Sequence, residues 1–414
     1  MTIYHPRIAD QMLHDALSFR AAVLLEGARY VGKTETARQL ASSELLLDID
    51  DDARMSALVN PDRVLSGKTP LLIDEWQFVP ELWNHVRRKC DDRQRVGQFI
   101  LTGSARPADT ITRHSGAGRV ARLKLHPMTL VEQGISDHSI SLSSLLHGEE
   151  VSGSKPNTTL SDLIDASCKG GWPAMISASL TDSLKHVRSY LEEITSVELL
   201  GEIAFDPGRM RQMLISIARN VSTDVAINTL RADVNTSIQT RTITKYLDQL
   251  QQIHIVELLM PWATHLRARS QLRLTPKKYF CDPSLAVAAL RATPDKLQAD
   301  MQYFGLLFES LVVRDLLVYA QANDATVSFY RDNTGLEIDA IVETSAGVWI
   351  PIEIKLGGSS YIDAAAKALI RLERKVDVEK KGYPAAKLVI TASPVFPHTR
   401  PDGVSVLSIT SLGP

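Results

Sequence analysis

Gly27-Ala28-Arg29-Tyr30-Val31-Gly32-Lys33-Thr34 fits the pattern G-x-x-x-x-G-K-T without a mismatch, and its flanks decide how it is read. The apolar run Ala22-Val23-Leu24-Leu25 precedes it, and a helix is predicted from about Glu35. Strand, glycine loop and helix together are the context in which this octapeptide folds as a P-loop; an ordinary glycine-rich turn is the competing reading. Glycines let backbone N–H groups approach phosphate oxygens, and the helix N-terminus adds a field that favours anions. Lys33 is then expected to reach the β- and γ-phosphates of ATP or ADP, and the Thr34 hydroxyl to bind Mg2+. The expected nucleotide-binding set is Gly27, Ala28, Arg29, Tyr30, Val31, Gly32, Lys33, Thr34 and Glu35, with Thr102.

Outward from this loop, residues Ala21 to about Leu130 alternate short apolar runs with helical stretches, the pattern of a parallel α/β sheet. Leu45-Leu46-Leu47, Leu71-Leu72-Ile73 and Phe99-Ile100-Leu101 are the further candidate strands. Leu71-Leu72-Ile73-Asp74-Glu75 has the form of a Walker B strand. Asp74 would hold the metal and Glu75 would orient or deprotonate the attacking water. Acids at a strand end also cap helices, which is the plainer reading of the same residues. Thr102-Gly103-Ser104 places hydroxyls where a γ-phosphate could be sensed, or forms a simple turn. Gly116-Ala117-Gly118-Arg119 sets Arg119 in a loop, as an arginine finger or as a surface arginine.

The chain has 414 residues, enough for two to four cores. Its 44% hydrophobic and 23% charged residues exclude a disordered or fibrous chain. A net charge of -2 excludes a surface that is basic throughout, so any nucleic-acid contact must be regional. Cys90, Cys168 and Cys281 lack metal-ligand spacing and read as buried small hydrophobes in a reducing compartment. Without a signal-like N-terminus or a long apolar run, a cytoplasmic protein with no membrane partner is expected.

A serine-rich segment, Ser139 to Thr159, is the first predicted boundary. Helices are expected from Leu160 to about Leu200, broken at Gly170-Gly171-Trp172-Pro173, and again from Pro207 to Leu250. Ile243, Tyr246, Leu247 and Leu250 share one side of a helix from Thr240, and the run Ile253-His254-Ile255-Val256-Glu257-Leu258-Leu259 follows. Helices closed by a β-wing suggest a winged helix, with Thr240, Arg241, Thr242 and Lys245 in the recognition position for DNA; a protein contact is the alternative. The basic run His265-Leu266-Arg267-Ala268-Arg269-Ser270-Gln271-Leu272-Arg273 suits phosphate backbones, or is a solvated positive face.

In the last third, Glu309 sits on an apolar helix, Glu337 and Asp339 alternate with Ile338 on one strand, and Glu353 and Lys355 share a face of the next. Three acids and a lysine suit metal-dependent phosphodiester cleavage. Glu309, Asp339 and Glu353 would hold Mg2+ while Lys355 positions water. This looks like the PD-(D/E)XK nuclease core, although the stretch from Leu356 to Lys387 contains no glutamine and so lacks the Gln-x-x-x-Tyr element of some members. A structural charge cluster is the other reading.

Taken in order, the P-loop, Leu71 to Glu75, Leu101-Thr102-Gly103-Ser104, Gly118-Arg119 and Gly170 to Pro173 resemble bacterial and archaeal AAA-type ATPases that carry a C-terminal domain of unknown function. The resemblance implies an α/β fold: an AAA-type P-loop NTPase sheet in residues 1–150, a helical, winged-helix-like segment in 160–275, and a restriction-nuclease-like α/β domain in 276–414. Lys33, Glu75 and Arg119 are the residues expected to carry ATP hydrolysis, and the order of the three modules makes DNA the expected partner. A protein partner of an ATP-driven switch, and a homo-oligomer in which a neighbour donates Arg119, stay open.

Overall fold

The computed structural model describes residues 4–103, 118–196, 206–265 and 274–414. Two compact units emerge: 1–126 with 250–255, and 127–249 with 256–414. Ser104, Gly116, Ala117, the end of the helical stretch at Leu200 and the basic run from Leu266 to Arg273 lie outside the described residues.

In the first unit, strands β1 (Ala22–Glu26), β2 (Ser43–Leu46), β3 (Leu71–Asp74), β4 (Phe99–Gly103) and β5 (Val120–Lys124) form a parallel sheet in the order β2-β3-β4-β1-β5. The residues of β1, β3 and β4 are all buried, as continuous apolar runs in a doubly covered sheet should be. Trp76, Trp83, Val86 and Cys90 pack against Leu24, Ile73 and Leu101 on one side. β5 escapes sequence reading because Val-Ala-Arg-Leu-Lys occupies an edge and buries only Leu123, so it carries no apolar run. Since β4 lies between β1 and β3, the C-terminal ends of three adjacent strands meet where the glycine loop begins.

The second unit opens with a boundary different from the serine-rich one. Its first residues follow His126, and part of the serine-rich stretch is woven in. β6 (Ile140–Ser141) pairs in parallel with β15 (Leu412–Gly413), and the Ser136 hydroxyl donates to the carbonyls of Thr410 and Leu412 at 2.8 and 2.9 Å. Helices Leu160–Lys169 and Leu180–Ile194 flank the glycine turn. Gly170 has φ 75°, and a Cβ on Gly171 would stand 2.2 Å from the Met128 carbonyl oxygen, so neither position tolerates a side chain. Trp172 is extended, as the following proline requires. The Gly171 N–H donates to Asp282, which also pairs with the buried Arg314 at 3.0 Å; Arg314 in turn holds Asp315 at 2.7 Å.

Helices Pro207–Arg219, Ile227–Val234 and Thr240–Gln252 are followed by an antiparallel hairpin of β7 (Val256–Leu259) and β8 (Lys277–Phe280). That pairing spans the division expected at residue 275. The remaining sheet has the order β13-β14-β12-β11-β10-β9. Here β9 (Ala325–Arg331), β10 (Glu337–Thr344) and β11 (Trp349–Lys355) run antiparallel, while β12 (Leu388–Thr391) and β14 (Ser405–Ser408) run parallel to β11, with β13 (His398–Thr399) on the edge. Helix Ser359–Lys375 packs Ala365, Leu369 and Leu372 onto Ile338, Ile341 and Val389. Ile338 and Ile341 share that core because a bulge between them interrupts the alternation expected through Ile341. Helix Met301–Ala322 packs against β9, β10 and β11.

Candidate functional site

At the first site, β1 delivers the chain into the glycine loop and helix Lys33–Arg38 leaves it, so the helix begins at Lys33, two residues before the expected start. A Cβ on Gly27 would lie 2.3 Å from the Leu125 carbonyl oxygen, and Gly32 takes φ 94° as the N-cap. Both glycines of the motif are therefore required by sterics. Lys33 is buried and donates to the carbonyls of Gly27 and Ala28 at 3.1 and 2.9 Å. Burial pulls its ammonium down to about 8, with Glu75 and Asp74 opposing.

The three strand ends converge as expected. The Thr34 hydroxyl donates to both oxygens of Asp74, at 2.9 and 3.1 Å, and the Thr102 hydroxyl donates to Asp74 from β4. Burial raises the Asp74 carboxyl. Glu75 has φ 49°, its N–H donates to Thr102 at 3.1 Å, and its carboxylate accepts from the Gln77 amide. A hydroxyl and a carboxylate side by side at the head of the helix are donors a hard cation takes together with phosphate oxygens and water, so the residues fit Mg2+. Arg29, Tyr30 and Glu35 turn outward; Glu35 pairs with Arg38 at 2.6 Å, leaving its backbone on the helix's first turn.

Arg119 is not brought here. β5 pairs Val120 with Ala22 and Lys124 with Glu26, so Arg119 sits at the opposite end of β1 from the loop, and it is ion-paired with Asp91. The residue missed by sequence reading is Arg7. Buried ahead of helix Ile8–Phe19, it donates to the Val31 and His126 carbonyls, each at 2.8 Å, and so clamps the loop from behind. Nothing in its sequence neighbourhood marks it.

The C-terminal acids do come together, but with more company than expected. β8 adds Lys277 and Tyr279. Lys277 bridges Glu309 and Glu337, each at 2.9 Å, and the Tyr279 hydroxyl donates to Glu309 at 2.7 Å. Lys355 bridges Asp339 at 2.9 Å and Glu353 at 2.6 Å, and Asp339 also accepts the Ile354 N–H. Burial would lower both lysines, yet the surrounding carboxylates outweigh it and hold each above the ordinary lysine range. Burial lifts the Glu309 carboxyl to about 7 and the Glu353 carboxyl to about 8. Among the described residues no three acidic, histidine or cysteine side chains converge as a metal cage. The set Glu309, Asp339 and Glu353 is thus assembled around two ammonium groups rather than around a metal ion, and the residues do not fit Mg2+ as they stand.

Comparison with known proteins agrees with the first site. Residues 19–133 match the model of an AAA domain. The first unit has the AAA-type P-loop NTPase fold. Residues 160–296 and 304–412 match two domains of unknown function, DUF8612 and DUF4143. Uncharacterized proteins of Mycobacterium tuberculosis and Mycobacterium bovis are each 28% identical over 89% of this chain and 78% of their own length. A Walker-type ATPase of Pyrococcus abyssi aligns with 70% of this chain and 96% of its own, at 13% identity and a TM-score of 0.44. Among the described residues, no helix of the AAA-type unit or of the rest is long and apolar enough to cross a membrane.

Proposed function

We propose that this chain hydrolyses ATP with magnesium at Thr34 and Asp74, and that nucleotide state governs engagement of DNA by the second unit. One observation carries the first part: the hydrogen-bonded junction of Thr34, Asp74 and Thr102 beside an ammonium group whose hydrogen bonds, among the described residues, go to carbonyls. Lys33 releases two neutral acceptors and takes phosphate oxygens in their place, a charge-assisted exchange. Magnesium, when bound, supplies further stabilisation of phosphate charge. Glu75, held by Gln77 at the end of β3, orients the attacking water and receives its proton. Phosphate release tests this: Glu75→Gln should keep ATP binding and slow turnover about 10²-fold or more. Unchanged turnover in that variant, or no ATP binding by the wild type with magnesium, defeats the reading.

DNA engagement rests on the three helices and hairpin read as a winged helix, with Thr240, Arg241 and Lys245 exposed on helix Thr240–Gln252. Stimulation of ATP turnover by duplex DNA, lost in Arg241→Ala with Lys245→Ala, is the expected result. The lysine-bridged acids favour a second reading of the C-terminal domain, a nuclease-like scaffold that docks a protein partner and does not cleave. Magnesium-dependent cleavage of plasmid DNA by the wild type, absent in Lys355→Ala, would reverse that. Arg119 would act only on a neighbouring subunit of a homo-oligomer, and a sizing experiment with and without ATP decides whether such a subunit exists.

A further inference from the structure

Helices Leu180–Ile194, Pro207–Arg219 and Pro283–Ala289 line a cavity of about 550 Å³ in the second unit that is open to solvent. Each contributes an arginine to its lining: Arg188 and Arg211 from the first two helices, and Arg291 from just beyond the third. Among the described residues none of the three forms an ion pair, and the Arg188 Nε is buried with no hydrogen-bond partner. The half-buried Arg188 guanidinium, with its Nε unpartnered, carries a desolvation cost that an anion seated beside it would offset, while the exposed Arg211 and Arg291 add positive charge to the same lining.

The lining acid is Glu192, so the formal charge facing the cavity is about +2, the complement of a dianion. Leu191, Ile215 and Leu290 supply apolar wall. The volume lies in the range of small-molecule sites and is too small for a nucleic-acid duplex. Planar, forked guanidinium groups from three directions match the tetrahedral oxygens of a phosphate better than a single flat carboxylate. We infer that this cavity binds a small organic phosphate monoester, with the phosphate on Arg188, Arg211 and Arg291 and the organic body against Leu191, Ile215 and Leu290.

The cavity belongs to the second unit and the P-loop to the first, so the P-loop is silenced in the test. Full-length chain carrying Lys33→Ala is titrated with AMP by calorimetry, with inorganic phosphate as competitor and adenosine as control. Saturable AMP binding, competition by phosphate and no binding of adenosine are expected. Adding Arg188→Gln and Arg211→Gln should weaken AMP at least about tenfold, as loss of charge-assisted contacts implies, while thermal unfolding stays unchanged. Absence of saturable binding, an affinity for adenosine equal to that for AMP, or an affinity unmoved by substituting all three arginines with glutamine overturns the proposal.

Discussion

Lysine plays opposite parts in the two units. Lys33 is buried with carbonyl acceptors and an ammonium pulled down to about 8; Lys277 and Lys355 are each clasped by two carboxylates that hold them above the ordinary range. The first arrangement leaves positive charge that an arriving polyanion satisfies better than the loop does. In the second, the charge is already matched, so an incoming metal would have to displace an ammonium group. A lysine near acids is therefore not one kind of signal, and what distinguishes the cases is the number of carboxylates within hydrogen-bond reach.

The contrast is broken most severely at Lys277. Lys277→Met strips Glu309 and Glu337 of a buried partner and should cost about 3–5 kcal/mol by chemical denaturation, with Glu309→Gln restoring part of it. A cost below about 1 kcal/mol would show that the cluster is not balanced by this lysine. Next, Lys33→Ala should lower ATP turnover about 10²–10³-fold while leaving the melting temperature near that of the wild type, since the side chain gives up only two carbonyl contacts. A large loss of stability there would mean that Lys33 is structural too.

Arg7→Met tests whether the clamp behind the loop matters to function. Removing two hydrogen bonds to a guanidinium should weaken nucleotide binding by about 1.5–3 kcal/mol, read by fluorescence titration. The smallest effect concerns pH. Because burial depresses Lys33 to about 8 and a bound phosphate raises it again, ATP affinity should be flat below pH 8 and fall by up to about tenfold per unit above it. In the nucleotide-free chain the sign reverses. A depressed lysine means that the unfolded state binds more protons between about 8 and the ordinary value near 10.4, so stability rises with pH across that window. An affinity that rises above pH 8 would contradict a protonated Lys33 on the phosphates.

The glycine loop was legible because its requirements are local. Gly27, Gly32, Lys33 and Thr34 lie within eight consecutive residues, and the β3 acids close an apolar strand in the same local way. Asp339, Glu353 and Lys355 were found from strand alternation and Glu309 from the apolar face of its helix, and the structure gathers them. For Arg119, a glycine-rich loop indicates freedom but not which end of a strand the loop adjoins, and the register of β5 on β1 puts it at the end of β1 away from the P-loop.

Residue spacing was enough to specify the glycine loop, the apolar strands around it and the helix-to-strand order of the last third, since each rests on a few turns of chain. Long-range packing was needed to show that Arg7 grips the loop, that Lys277 and Tyr279 enter the acid cluster from β8, and that the segment near Ser136 is pinned by Thr410 and Leu412. The partners in these contacts stand from 24 to 276 residues apart. At such separations no periodicity relates them, and burial of charge with its compensating partner is settled by how whole elements pack.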